Sequence, residues 1–149
     1  MDVLDERDGL RLVHEYETVI LEGAEVPNVI VGDHYGDPIG GLIDREGAWV
    51  ASIGEGVQVY RIAKPYTPYE REVESGQWVT WDAPKGRGYE VHVSGARQDQ
   101  DGRLVISVTC DEPYEVSFEV WLSEGSIVLV ADDQSVRETG ADKRIGSNS

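Results

Sequence analysis

Apolar and polar residues alternate with period two along most of this chain. In "LVHEYETVIL" (12–21), Leu12, His14, Tyr16, Thr18 and Ile20 fall on one face and Glu15 and Glu17 on the other, the mark of a half-buried strand. "NVIVGD" (28–33) is a short apolar run that closes in turn residues. "GLID" (41–44), "AWVASI" (48–53) and "VQVYRI" (57–62) follow, separated by "DREG" and "IGEG". Both separators have hairpin-turn chemistry, so 40–62 is expected to form a three-stranded meander. Pro65 and Pro68 cannot donate to a ladder and mark 64–76 as a surface excursion. "QWVTWD" (77–82) resumes as a strand and runs into the loop "APKGRG".

The second half repeats the pattern. "GYEVHVSGARQ" (88–98) and "RLVISVTC" (103–110) flank "DQDG". Pairing Gln98 with Arg103 sets Val93 against Val108 and Val91 against Cys110 on one face, with His92–Thr109 and Ser94–Ser107 on the other. "YEVSFEVWL" (114–122) turns Tyr114, Val116, Phe118, Val120 and Leu122 inward. A tight turn at Glu124-Gly125 then pairs Leu122 with Ile127 and Val120 with Leu129. No window carries a helical stripe. Residues 2–8 come nearest and are short. The expectation is an all-β fold of about nine short strands, antiparallel hairpins and meanders closed as a sandwich or barrel. Residues 1–131 are expected to form this single domain, with the polar 132–149 as a flexible tail.

Charge changes the picture most. Asp and Glu number 29 against 13 Lys and Arg, a net charge of −16. Residues 1–25 hold eight acids and two bases, and 88–131 repeat those counts, while 64–87 balance four against four. Such a field repels nucleic acid and anionic membranes and attracts basic partners, and it also serves solubility alone. The single cysteine, Cys110, allows no internal disulfide and no cysteine-built zinc site. The acidic start of the chain reads as lacking a signal peptide, and no stretch has the length of a membrane span, so a cytoplasmic protein is expected.

Candidate chemistry centres on "GDHYGDP" (32–38). Asp33, His34 and Asp37 could in principle share a metal, hold a sugar, or act as acid and base. Asp, Gly and Asp-Pro are also what a sheet corner selects. The corner is the favoured reading, with no metal, no cofactor and no catalytic residue assigned. "DQDG" at 99 fails as a calcium loop, since Leu104 and Cys110 stand where Gly and Glu are required. "GEG" at 54 lacks the Lys and Ser/Thr of a phosphate loop. Cys110 is placed inward as inert packing, and His14 at the edge of the core. The Glu90/His92/Ser94 row reads as a solvated face. Trp121 points outward in this register, either as a partner anchor or, the preferred reading, under a covering layer.

The run 29–69, through its G-D-x-Y-G-D-P motif at Gly32, Asp33, Tyr35, Gly36, Asp37 and Pro38, resembles a sparsely characterised family of small acidic bacterial proteins of immunity type. The resemblance covers about a quarter of the chain, and His34 falls at its variable position. It implies a non-enzymatic protein that neutralises a basic partner, such as a toxin. Contacts are then expected from Asp33, His34, Tyr35, Asp37 and Glu55, with Trp121 as anchor. The alternative is a small metal- or carbohydrate-binding or hydrolytic β-domain built on Asp33, His34 and Asp37.

Overall fold

The run 12–21 does not form one strand. Tyr16 adopts a positive φ of 55° and reverses the chain. β2 (Leu10–Glu15) and β3 (Thr18–Gly23) therefore pair as a hairpin, with Leu12 opposite Leu21. The inward face changes parity across this turn: Leu12 leads into the core on β2, and Val19 and Leu21 on β3. Residues 2–8 are likewise extended: β1 (Asp2–Arg7) pairs with β2, mostly exposed and without the apolar alternation that would reveal it. These two features raise the strand count above the expected nine.

The computed structural model describes residues 1–86 and 90–131, and the expected tail at 132–149 and part of the loop after Ala83 lie outside them. The described residues form twelve strands in three four-stranded antiparallel sheets, each built from consecutive strands. The first sheet holds β1 to β4 (Val26–Asp33). The second holds β5 (Gly40–Ile43), β6 (Trp49–Ile53), β7 (Val57–Arg61) and β8 (Trp78–Trp81), which includes the expected meander. The third holds β9 (His92–Gln98), β10 (Leu104–Thr109), β11 (Tyr114–Ser123) and β12 (Ser126–Ala131).

The second sheet is the middle layer. The cross-strand row Ile43–Val50–Tyr60–Trp78 packs with Leu12, Leu21 and Val31 of the first sheet. The alternate row Leu42–Ala51–Val59–Val79 packs with Leu104, Ile106, Val116 and Phe118 of the third. Both faces therefore carry an apolar row, and all of β6 is buried. A sheet covered on both sides reads as a continuous apolar run rather than an alternation, as "AWVASI" does.

Polar stitches hold the layers in place. Asp5 accepts from the Ile43 amide at 2.8 Å. Gln98 donates to Asp44 at 2.8 Å and accepts from the Arg45 amide at 3.0 Å. Arg61 donates to the carbonyls of Ser123 and Ser126, and Gly76 lies so close to the Gly125 carbonyl that a Cβ there would collide with it.

The third sheet departs from expectation in its register and in what it leaves exposed. Val93–Val108 and His92–Thr109 pair as anticipated, but a bulge shifts the rest, so Gln98 faces Leu104 rather than Arg103, and Gly95 rather than Ser94 faces Ser107. The "DQDG" segment is a turn in which Asp99 accepts from the amides of Asp101 and Arg103, both at 2.9 Å. Those amides and the Arg103 guanidinium outweigh desolvation and hold the Asp99 carboxyl below its ordinary pKa. Cys110 lies past the end of β10, half-buried, with its thiol toward the Glu112 carbonyl rather than in the core. The Leu122–Ile127 and Val120–Leu129 pairs form as expected, although Leu122 is itself exposed. Trp121 is 53% exposed, so no layer covers it.

Candidate functional site

On the face of the middle sheet that meets the first sheet, one cross-strand row is polar: Gly41–Ser52–Gln58–Thr80. It follows the apolar row Ile43–Val50–Tyr60–Trp78 by two residues and so shares its direction. The end of β4 lands on this row. Gln58 accepts from the Asp33 amide at 2.7 Å and donates to the Asp33 carbonyl at 2.9 Å, continuing a ladder with a side chain. A Cβ at Gly32 would lie 2.8 Å from both Ser52 Oγ and Gln58 Oε1, so only glycine lets the strand approach this closely.

The chain then turns through Asp33–Asp37 with its amides held by carboxylates from two hairpin tips. Glu55, between β6 and β7, accepts from the Tyr35 amide at 3.0 Å. Glu17, between β2 and β3, accepts from the Gly36 amide at 2.9 Å. Gly36 itself sits at φ +95°, where a side chain would be strained. Arg71, from the 64–76 excursion, clamps the loop. Its guanidinium reaches Asp33 Oδ1 at 3.2 Å and the His34 carbonyl at 2.6 Å, and it lies 3.7 Å over the Tyr35 ring.

His34 is fully buried. Its Nε2 is 2.9 Å from Ser52 Oγ. Its Nδ1 has no hydrogen-bond partner, and the nearest carboxylate oxygen, Glu55 Oε1 at 3.5 Å, already accepts from Tyr35. Desolvation lowers the His34 pKa, against the opposing pull of Glu55 and Asp33, so the imidazole is neutral at pH 7. Ser52, His34 and Glu55 thus stand in the order of a nucleophile, base and acid. Ser52 and His34 are both buried, and a Cβ at Gly54 would come within 2.7 Å of His34 Nδ1. The packing closes this line to any substrate, and its chemistry is that of a polar corner.

The three residues proposed from sequence for a metal, a sugar or acid–base work therefore diverge. Asp33 turns to Arg71, His34 turns inward to Ser52, and Asp37 is exposed beyond Gly36. Among the described residues no group of three His, Cys, Asp or Glu is placed to hold a metal ion. No helix in the described residues is long and apolar enough to cross a membrane.

Beside the corner opens a cleft of about 630 Å³. Asp33, Tyr35 and Glu55 line it, whereas His34 is fully buried and Asp37 and Trp121 are not among its described lining. Its other acids are Glu72 and Glu74 on the excursion and Asp82 after β8. The described lining therefore sets five carboxylates against one guanidinium, that of Arg71, which is already engaged by Asp33. Gln58 and Thr80 supply polar floor, and Tyr69 and Trp78, in edge contact at 5.1 Å, supply apolar wall. Trp121 belongs to the outer face of the third sheet and does not line the cleft.

Ser52, Gln58, Arg71 and the excursion carboxylates escaped the sequence reading. A signal for the first two was present: Ser52 and Gln58 sit two residues from Val50 and Tyr60, where an apolar residue belongs. No local pattern marked Arg71, whose partners are tens of residues away. The fold and cleft define an all-β protein of three stacked sheets with an acidic recess. Comparison with protein-family models, curated proteins and solved structures returns no match.

Proposed function

We propose that this chain is a non-enzymatic binding protein of immunity type, which captures a basic segment of a partner protein in its acidic cleft. The observation that carries this reading is the described lining of the cleft: five carboxylates against one guanidinium, whose ion pair with Asp33 leaves four carboxylates uncompensated among those residues. Low-dielectric walls focus such a field, so a lysine or arginine side chain is attracted from a distance and anions are repelled. The volume suits a few side chains and not a whole domain face, so charged surface around the cleft steers the approach. The resemblance of the Gly32–Pro38 motif to immunity-type proteins suggests a toxin as the partner.

The test is calorimetric titration with an arginine-rich peptide, together with pulldown of the product of the neighbouring gene. Binding is expected at low salt and is expected to weaken strongly between roughly 0.02 M and 0.2 M salt, as the Debye length contracts. The triple variant Glu72→Gln, Glu74→Gln, Asp82→Asn should lose it. No binding at low salt, or equal binding by the triple variant, rejects the cleft as the site.

A further inference from the structure

We propose that protonation of His34 unlatches the Asp33–Asp37 loop, by drawing the Glu55 carboxylate off the Tyr35 amide and onto the imidazolium. This goes beyond the partner reading and does not depend on it. Three observations support it. First, the imidazole is fully buried, with Nδ1 unpartnered and Nε2 held by Ser52 at 2.9 Å. Second, a single oxygen, Glu55 Oε1, is both the acceptor of the Tyr35 amide at 3.0 Å and the nearest anion to Nδ1 at 3.5 Å. Third, the ring packs beside Gly54 so closely that a Cβ there would lie 2.7 Å from Nδ1, so no side chain on that flank can serve as its acceptor.

When a proton from solvent arrives, both ring nitrogens carry hydrogen. Nε2–H donates to Ser52 Oγ, and Nδ1–H needs an acceptor, because a buried unpaired charge is far costlier than a rearranged surface carboxylate. The other charged groups facing the ring do not compete. Asp33 is held by Arg71 and its amide by Gln58. Arg71 is a cation and repels the imidazolium. Glu17, at the neighbouring hairpin tip, is engaged with the Gly36 amide and lies 3.9 Å from Arg71. Glu55 is partly exposed and free to swing inward. Its departure strips the Tyr35 amide of its acceptor and removes a carboxylate from the cleft wall.

The experiment is amide hydrogen exchange by NMR on the full chain, from about pH 7.5 to about pH 5, across the range where a histidine titrates. His34 ring shifts are followed in the same samples. Protection of the Tyr35 amide, corrected for intrinsic exchange, is expected to fall about fivefold to tenfold in step with the His34 titration. Glu55→Gln keeps an oxygen for the Tyr35 amide and lacks the charge that follows the proton, so its protection should stay level. Tyr35 protection that is flat while His34 titrates overturns the proposal. So does an equal fall in Glu55→Gln, or a His34 ring that takes up no proton before the whole protein unfolds.

Discussion

Gly54 is an exacting position around the site, because the His34 ring occupies the space a β-carbon would need. Gly54→Ala is therefore expected to cost about 1–3 kcal/mol of stability by overpacking, measured by urea unfolding. Ser52→Ala leaves His34 Nε2 buried without a partner, and about 1–3 kcal/mol should be lost in the same assay. Since Ser52 and His34 are both buried, the wild-type protein should also resist labelling by a fluorophosphonate probe. Covalent labelling at Ser52 would show that the corner opens. The pH dependence has a definite sign. The His34 pKa is lower in the folded protein than the ordinary 6.5, so below that value the unfolded chain binds a proton that the native one refuses. This group's contribution is complete above about pH 6.5 and declines as pH falls, by at most about 1.4 kcal/mol per pH unit. His34→Gln should flatten that part of the stability profile.

At the scale of elements, period-two reading located most strands, because one face of each meets a core. It failed where that condition failed. β1 contributes no fully buried residue and carried no pattern to read. The β2–β3 turn was hidden because Tyr16 and Glu17 continue the alternation in sequence while the backbone reverses through a positive φ at Tyr16. The bulge at Ser94 moved half of the β9–β10 register, and nothing about Ser94-Gly95 distinguishes a bulge from a straight strand in one sequence. The corner at Asp33–Asp37 was legible as a turn. Its working neighbours were not, because Arg71 and Gln58 reach it across 38 and 25 residues. The β11–β12 tip against Gly76 belongs to this scale too. Gly76→Ala drives a β-carbon into the Gly125 carbonyl, backbone against backbone, and is expected to lower thermal stability by about 2 kcal/mol or more.

For the whole molecule, the all-β antiparallel class read from the sequence holds, and the described strands form three sheets where a sandwich or barrel was expected. Periodicity assigns faces and not neighbours, so the double burial of the middle sheet could be suspected only from β6, whose residues are apolar on both faces save Ser52. Double burial makes the two cores interdependent. Leu21→Ala in one core and Ile106→Ala in the other are each expected to cost about 2–5 kcal/mol. Unfolding should remain a single transition, with tryptophan fluorescence and circular dichroism coincident in both variants. Separated transitions would mean that the layers melt independently.

The order of the sheets along the chain has a consequence for synthesis. The third sheet is the last to leave the ribosome, and until it does, Trp49, Ala51, Ile53, Val57 and Val59 form a bare apolar wall with nothing to lie against. A nascent chain that stalls after Trp81 is thus a sticky, half-finished slab and a natural client for a chaperone. A fragment of residues 1–86 should precipitate on its own and dissolve when 90–131 are supplied in trans.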